Sequence, residues 1–277
     1  GMWYLYDEPK IELVPKIQEI RKVLKEANPA IPSTLVIHWI KDWQKTRVAC
    51  DLLMVDLYPV RNQEFPDSPL SNYTSYVNHA INLKDPSPPI IGVMQTMSWE
   101  CFRYQLKHSE DTKYRFPNLI EMDNMGYASI AMGVRGLFFY SFYHIHTEPS
   151  YMDYHPHPDV NMDWYIETFI PFIKEIKEFT TLVHPSWNVD ERSNKVNRDN
   201  KIFLGYWERK TGNYLLVCND SKENRDLSID LSSLDKIPTE ASLKEWGRTN
   251  KKEVSLKNNT LNVKNVEPWE SLIWEVK

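Results

Sequence analysis

Short apolar runs alternate with segments of helical periodicity through residues 1–185. The apolar runs cover 3–6, 34–37, 52–55, 88–94 and 136–142, and the helical segments cover 13–27, 42–49, 73–83, 119–132 and 162–180. The apolar runs do not alternate with polar residues, which is typical of parallel strands that are covered on both faces. The repeated strand–helix order therefore predicts a parallel α/β sheet or barrel.

The pattern changes from about residue 199 onward. Strand-like runs lie at 202–207, 214–218, 227–231, 242–246, 254–256 and 272–276. Polar turns separate them and no stretch of helical periodicity is evident, which predicts an antiparallel β-sandwich. We therefore expect an α/β domain at 1–185, a linker at 186–198 and an all-β domain at 199–277.

Composition argues against several classes of partner. The net charge is −5 and no long basic run is present, so a nucleic-acid partner is not expected. No apolar run reaches the length of a membrane span, so a membrane partner is not expected either. The three cysteines are far apart and show no zinc spacing. Because no Gly-rich phosphate loop occurs, we expect no cofactor.

The sequence leaves localisation open. The first residues contain no basic stretch followed by an apolar one, so we expect no signal peptide within this sequence. A longer natural protein that is secreted or periplasmic is compatible with this pattern.

Polar and aromatic residues follow each of the predicted strands of the α/β segment. In a parallel barrel the carboxyl ends of the strands form the active-site face. The candidates for substrate binding at these ends are Asp7, His38, Trp39, Tyr58, Gln95, Trp99, Tyr140 and Tyr143. Acidic groups beside aromatic rings suit a carbohydrate better than a phosphate or a nicotinamide, so the expected partner is a carbohydrate.

Cleavage of a glycosidic bond requires two carboxyl groups on opposite sides of that bond. Glu8 is the best candidate for the general acid, because Pro9 ends the strand directly after it. The alternative is that Glu8 only opens the following helix, where acidic residues favour the helix dipole. Asp56 and Glu100 are the candidates for the second carboxylate. Asp56 could instead cap a turn, and Glu100 could be a solvated loop residue.

Two histidine pairs, at 144 and 146 and at 155 and 157, lie in one loop after the last strand of the α/β segment. Histidine is a common metal ligand, but no carboxylate is spaced to complete a site. We interpret them as loop residues that contact solvent or substrate, and we expect no metal.

The strand ends resemble the second half of the (β/α)8 TIM-barrel glycoside hydrolases. Trp3-Tyr4-Leu5-Tyr6-Asp7-Glu8-Pro9 resembles strand four of that barrel, and Met54-Val55-Asp56-Leu57-Tyr58-Pro59 resembles strand six. Ile90-Ile91-Gly92-Val93-Met94-Gln95 resembles strand seven, and the passage 127–142 resembles helix seven and strand eight. The resemblance implies a partial TIM barrel of about five β/α units with a C-terminal β-sandwich, an α/β plus all-β fold.

The resemblance also implies roles for particular residues. Glu8 corresponds to the general acid, and Gln95 stands where the family has its nucleophilic Glu. Asp7 replaces the usual Asn before the acid. Strands one to three have no counterpart in the sequence, so we expect an open sheet edge that a homo-oligomer could cover.

Three functions follow as hypotheses. The first is a glycoside hydrolase, or a fragment of one, that cleaves O-glycosidic bonds of an oligo- or polysaccharide by carboxylate acid/base catalysis. The second is a non-catalytic carbohydrate-binding relative, which the amide of Gln95 favours. The third is an interaction module in which the β domain mediates assembly.

Overall fold

The fold is seen in a computed structural model. It describes residues 1–38, 40–83, 88–102, 112–141, 162–183, 201–232, 234, 237–248 and 251–277. Statements about structure below concern these residues. The expected linker at 186–198 lies outside them, as do Trp39, Tyr143 and the two histidine pairs. The two expected domain boundaries therefore stay predictions.

Five parallel strands form one open sheet in the order of the sequence. They are β1 (Trp3–Asp7), β2 (Ser33–Ile37), β3 (Leu52–Asp56), β4 (Ile90–Gln95) and β5 (Gly136–Tyr140). Every residue of β2, β3 and β4 is buried, whereas β1 and β5 are largely exposed or half-buried. This difference follows from position, because β1 and β5 are the two edges of the sheet.

Helices connect these strands. They are α1 (Val14–Ala27), α2 (Ile40–Thr46), α3 (Leu70–Ile81), α4 (Leu119–Met132) and α5 (Ile170–Val183). The sequence defines the ends of α4 sharply: the Asn118 side chain accepts a bond from the Glu121 backbone N–H, and Gly133 ends the helix at φ 91°. A left-handed residue at this position is what glycine permits without strain.

The C-terminal part is a sandwich of two antiparallel sheets. Its strands are β6 (Ile202–Arg209), β7 (Gly212–Asn219), β8 (Arg225–Asp230), β9 (Leu243–Glu245), β10 (Val254–Lys257), β11 (Thr260–Val266) and β12 (Ser271–Val276). One sheet has the order β6-β7-β12-β9 and the other has the order β10-β11-β8. The expected class, α/β plus all-β with a partial TIM barrel and a β-sandwich, is confirmed.

The four-stranded sheet is apolar on both faces, because one face packs on the three-stranded sheet and the other on helices. Along β7, Leu215 and Val217 join the sandwich core, while Leu216 and Cys218 join the core formed with α4 and α5. Polar contacts also attach the sandwich to the helices. Arg248, for example, binds the carboxylates of Glu175 at 2.6 Å and Asp123 at 2.9 Å.

The structure corrects several expected boundaries. Strand β11 was not expected, although Leu261 and Val263 alternate with polar neighbours and are buried. The helix expected at 162–180 contains a π-helical turn at Tyr165–Phe169 before α5 continues to Val183. The short helix expected at 42–49 is α2 followed by a 3₁₀ turn at Arg47–Ala49.

Candidate active site

The candidate site lies at the carboxyl ends of the parallel strands, next to the inner face of the sheet. Val36, Met54 and Val93 belong to one apolar cluster on this face. Because side chains alternate along a strand, the residue two positions further on points to the same side. For β2 this residue is His38, which directly follows the strand, and for β3 and β4 it is Asp56 and Gln95. The strand ends thus bring these side chains to one edge of the sheet.

Glu8, His38 and Asp56 form a polar cluster at this edge. One ligand atom from each residue lies within 4.8 Å of one atom from each of the others. Two carboxylates and an imidazole within this distance can share a proton. They are also a donor set that a divalent cation accepts.

The backbone at Glu8 has an unusual conformation. Its φ of 45° lies in the left-handed region, which non-glycine residues rarely adopt. The Glu8 backbone N–H donates to the carbonyl of Val36 at 3.0 Å, and Pro9 is buried behind it. Such strain is concentrated at functional sites. Here it places the Glu8 carboxylate beside the end of β2.

Asp56 lies in a more apolar environment than Glu8. Its side chain is buried and its Oδ1 has no hydrogen-bond partner among the described residues. Burial, together with the nearby charge of Glu8, raises the pKa of Asp56 to about 6, although His38 and Tyr58 act in the opposite direction. Asp56 is therefore suited to hold a proton near neutral pH, while Glu8 is exposed to solvent.

His38 is held beside this pair by its own contacts. Its Nδ1 lies 3.1 Å from the backbone oxygen of Asp56, and its ring packs on that of Tyr76 with centroids 5.7 Å apart. The contact to the carbonyl favours a proton on Nδ1, because a carbonyl oxygen can only accept. The imidazole is thereby oriented towards the carboxylates.

Aromatic rings form one wall of the site. Tyr58 and Tyr140 stack with centroids 5.1 Å apart, and Trp99 meets Tyr58 at 6.3 Å. The Trp99 Nε1–H donates to the backbone oxygen of Tyr58 at 3.1 Å, which fixes the indole. Since Tyr58 and Tyr140 cover each other, a sugar ring would contact only an outer face or the hydroxyl groups. These three predicted residues do come together.

Tyr4 is a further candidate for the site that the sequence analysis did not include. Burial, followed by the charges of Asp7, Asp56 and Glu8, raises the pKa of its hydroxyl, so Tyr4 lies within electrostatic reach of all three carboxylates. It is nevertheless 55% exposed and open to a ligand. Strand alternation could have indicated Tyr4, because successive side chains of a barrel strand face the inside and the outside of the barrel in turn. A bulge between Tyr4 and Tyr6 obscures that alternation.

Gln95 lies at the end of β4, where it was expected, but backbone groups engage its side chain. It is fully buried, and its Oε1 accepts from the Val60 backbone N–H at 2.9 Å. Its Nε2 donates to the carbonyls of Val60 at 2.7 Å and Met97 at 3.0 Å. Both ends of the amide are therefore occupied by backbone groups. The side chain positions the loop after β3 and is not available to a sugar.

The remaining predicted residues are Asp7, Glu100, Trp39 and Tyr143. Asp7 ends β1, is exposed and interacts with the Tyr4 hydroxyl. Glu100 lies in the turn Trp99–Phe102 after β4 and is not part of the Glu8–His38–Asp56 cluster. The positions of Trp39 and Tyr143 are outside the described residues.

An arginine-bearing loop after β3 lies beside the aromatic wall and was not foreseen. The Cζ of Arg61 lies 4.5 Å from the ring centroid of Trp99. The carbonyl of Arg61 accepts from the Arg115 backbone N–H at 3.1 Å, and the Arg115 guanidinium binds the buried Glu121 carboxylate through two bonds of 2.6 Å. The loop after β3 is thus attached to the start of α4.

Comparisons with known proteins agree on the fold. No protein-family model matches the chain, and no curated protein matches it by sequence. A solved structure described as a glycoside hydrolase matches with a TM-score of 0.62 and 14% identity over 99% of this chain and 64% of its own. AmyP in complex with maltotriose gives a TM-score of 0.53 and 10% identity over 100% and 64%.

A debranching enzyme from Nostoc punctiforme, soaked with acarbose, is also similar. It gives a TM-score of 0.51 and 15% identity, and the match covers 99% of this chain and 56% of the enzyme. The chain therefore spans 56–64% of the length of these three structures. At such identities the likeness concerns the fold alone.

Fold and comparisons together define the class: the chain has the fold of a glycoside hydrolase, with part of a TIM barrel followed by a β-sandwich. The carboxyl ends of its parallel strands carry the Glu8 and Asp56 carboxylates and the stacked rings of Tyr58 and Tyr140. No helix in the described part of the chain is long and apolar enough to cross a membrane.

Proposed function

We propose that this chain is the catalytic part of a glycoside hydrolase, and that Glu8 and Asp56 are its two carboxylates. The observation that carries the proposal is their separation, since oxygen atoms of the two groups lie within 4.8 Å of each other. Retaining glycosidases keep their carboxyl groups about 5–5.5 Å apart, whereas inverting enzymes need about 6.5–9.5 Å to admit a water molecule. The proposed outcome is therefore retention of configuration.

The environments of the two groups suggest their roles. Asp56 is buried, so it would hold the proton and donate it to the departing glycosidic oxygen. Glu8 is exposed and would attack the anomeric carbon to form a glycosyl ester. Asp56 would then take a proton from water, whose oxygen displaces Glu8 and releases the sugar. This assignment reverses the sequence-based expectation, in which Glu8 is the acid.

The proposed substrate is an oligo- or polysaccharide that lies along the aromatic wall. Tyr4, Tyr58 and Tyr140 offer hydroxyl groups to sugar hydroxyls, and Trp99 offers a ring. Maltotriose and acarbose appear with two of the similar structures, so maltooligosaccharides are one class to test.

The experiment compares hydrolysis of aryl glycosides and oligosaccharides by the wild-type chain, Glu8→Gln and Asp56→Asn, with and without a chelator. Glu19→Gln, on the exposed surface of α1, is the matched control. We expect each site variant to lose at least about a hundredfold in kcat/KM, the usual contribution of an acid or base, and the control to be unaffected. Hydrolysis that persists in Glu8→Gln would rule out the assignment.

A non-catalytic carbohydrate-binding protein is the second candidate. The observation in its favour is that Gln95, at the strand end where the family has its nucleophile, is engaged with backbone groups. In that case the wild-type chain and Glu8→Gln would bind the same oligosaccharides with equal affinity, and neither would release a reducing end.

A further inference from the structure

The loop after β3 carries an exposed arginine, Arg61, beside the aromatic wall of the site. Arg61 is exposed, and among the described residues no carboxylate or carbonyl binds its side chain. Among the described residues, its guanidinium lies over the ring of Trp99, with the Cζ 4.5 Å from the ring centroid. This cation–π contact uses no oxygen acceptor, so the guanidinium N–H groups that do not face the ring can still donate hydrogen bonds.

The backbone on both sides of this guanidinium is fixed by buried groups. Val60, directly before Arg61, is bound at both its N–H and its carbonyl by the Gln95 amide. The carbonyl of Arg61 itself is bound by the Arg115 backbone N–H. Arg115 is in turn held by the buried Glu121. Because the backbone at Arg61 is fixed, its guanidinium is held in position for an oppositely charged ligand.

The stacking partner places this charge beside the proposed sugar site. Trp99 meets Tyr58 at 6.3 Å and is bonded to its carbonyl, and Tyr58 interacts with the Asp56 carboxylate. Arg61 is separated from the carboxylate pair by these two rings. An anion at Arg61 therefore occupies a neighbouring subsite and does not face Glu8 and Asp56 directly.

We propose that Arg61 binds the anionic group of a sugar unit, so that the substrate of this site is an acidic oligo- or polysaccharide. This inference rests on the proposed function and specifies its substrate class. A planar guanidinium matches the geometry of a carboxylate or a sulfate through two parallel hydrogen bonds. Carboxylated and sulfated sugars share this chemistry, because each carries an oxyanion on a ring that can pack beside Trp99.

The test is calorimetric binding to pairs of oligosaccharides that differ only in charge. One pair is oligogalacturonate and its carboxyl-reduced form, a second is an oligoglucuronide and its reduced form, and a third is a sulfated galactan oligosaccharide and its desulfated form. The full chain carrying Glu8→Gln is used, so that no ligand is consumed. At least one anionic probe binds roughly tenfold or more tightly than its neutral counterpart, the gain of a charge-assisted hydrogen-bond pair.

Two further variants in the same background locate the effect. Arg61→Gln brings the ratio of anionic to neutral affinity close to one, whereas Arg61→Lys gives an intermediate ratio because the charge remains and the planar fork is lost. Arg225→Gln, on the sandwich strand β8, keeps the original ratio. Whether the first two pairs or the third shows the preference distinguishes a carboxylate from a sulfate.

The outcomes separate this proposal from the hydrolase assignment. Equal affinity for charged and neutral probes, no binding of any anionic probe, or a ratio unchanged in Arg61→Gln overturns the role of Arg61, even if the wild-type chain hydrolyses neutral glycosides. Preferential binding of anionic probes, with no hydrolysis of any anionic or neutral glycoside by the wild-type chain, supports the role of Arg61 and overturns the hydrolase.

Discussion

Asp56 and Gln95, at neighbouring strand ends, differ in the hydrogen-bond partners of their side chains. Asp56 has an oxygen without a partner, whereas the amide of Gln95 is saturated by backbone groups. Position along a strand predicted that both residues would reach the same edge, because the periodicity of a strand is local. It could not predict that Val60, 35 residues before Gln95, covers that side chain. Partners so distant in sequence are set by tertiary packing.

The Gln95 environment leads to a prediction for Gln95→Glu. The new carboxyl group loses the donor that binds two carbonyls, and its charge faces the carbonyl oxygens of Val60 and Met97. We expect the free energy of unfolding to fall by about 1–3 kcal/mol, with no gain in glycoside hydrolysis. Urea denaturation measures the loss. Gln18→Glu on the exposed surface of α1 is the control, and equal stability of the two variants would contradict the prediction.

Asp220 makes stability depend on pH. It is buried against α3, with one oxygen bound by the Thr74 hydroxyl at 2.8 Å and the other without a partner among the described residues. Burial raises its pKa to about 7, although Thr74 and Lys201 act in the opposite direction. Because the folded chain then holds a proton that the unfolded chain releases near pH 4, ionisation above this pH destabilises the fold.

The consequence is a measurable difference between the wild-type chain and Asp220→Asn. The variant becomes more stable relative to the wild type as pH rises from about 4 to 7, by at most about 1.4 kcal/mol per pH unit. Urea denaturation at several pH values in this range gives the two curves. A stability difference that stays constant with pH would show that Asp220 ionises normally in the folded chain.

At the scale of elements, the sequence predicted most strands because burial on both faces leaves a continuous apolar signal. Strands β2, β3 and β4 are such runs, and all three lie where they were expected. Strand β11 was missed because it alternates and follows the turn at Asn258 and Asn259. The attachment of the loop after β3 to α4, through Arg115 and Glu121, left no local signal at all.

The contact between α4 and α5 depends on the absence of a side chain at Gly126. A Cβ at this position would lie 2.6 Å from Ile176 Cδ1 and 2.8 Å from Phe172 Cζ. We expect Gly126→Ala to lower the free energy of unfolding by about 1–3 kcal/mol through overpacking. Gly136→Ala is the control, since its Cβ would meet Ile91 at 3.9 Å. Thermal unfolding compares them, and a Gly126→Ala variant as stable as the control would contradict this packing.

For the whole molecule, the open sheet is the main structural consequence of having five barrel strands. Strand β1 is an edge on which Trp3, Tyr4 and Tyr6 are 38%, 55% and 43% exposed. An unpaired edge with exposed aromatic residues favours pairing with another chain. The sequence predicted this edge correctly, because strand and helix counts follow from periodicity. It could not predict what covers the edge.

We expect this chain to self-associate through that edge. Light scattering at micromolar concentration should give a mass above the 32.8 kDa of one chain. Trp3→Lys should shift the population towards the monomer, because a charge on an edge strand opposes pairing. Ile20→Lys, at an equally exposed apolar residue of α1, should not. A monomer mass at every concentration would rule out a second copy as the cover.

The central claim is that Glu8 and Asp56 together cleave a glycosidic bond with retention, Glu8 being the nucleophile. The most direct measurement is mass spectrometry of the chain after incubation with 2-deoxy-2-fluoro glycosides that carry a good leaving group, followed by peptide mapping. A retaining enzyme accumulates the covalent intermediate with such substrates. The account predicts one sugar per chain, attached to the peptide that contains Glu8. A label on Asp56 or Glu100, or no label at all, would contradict it.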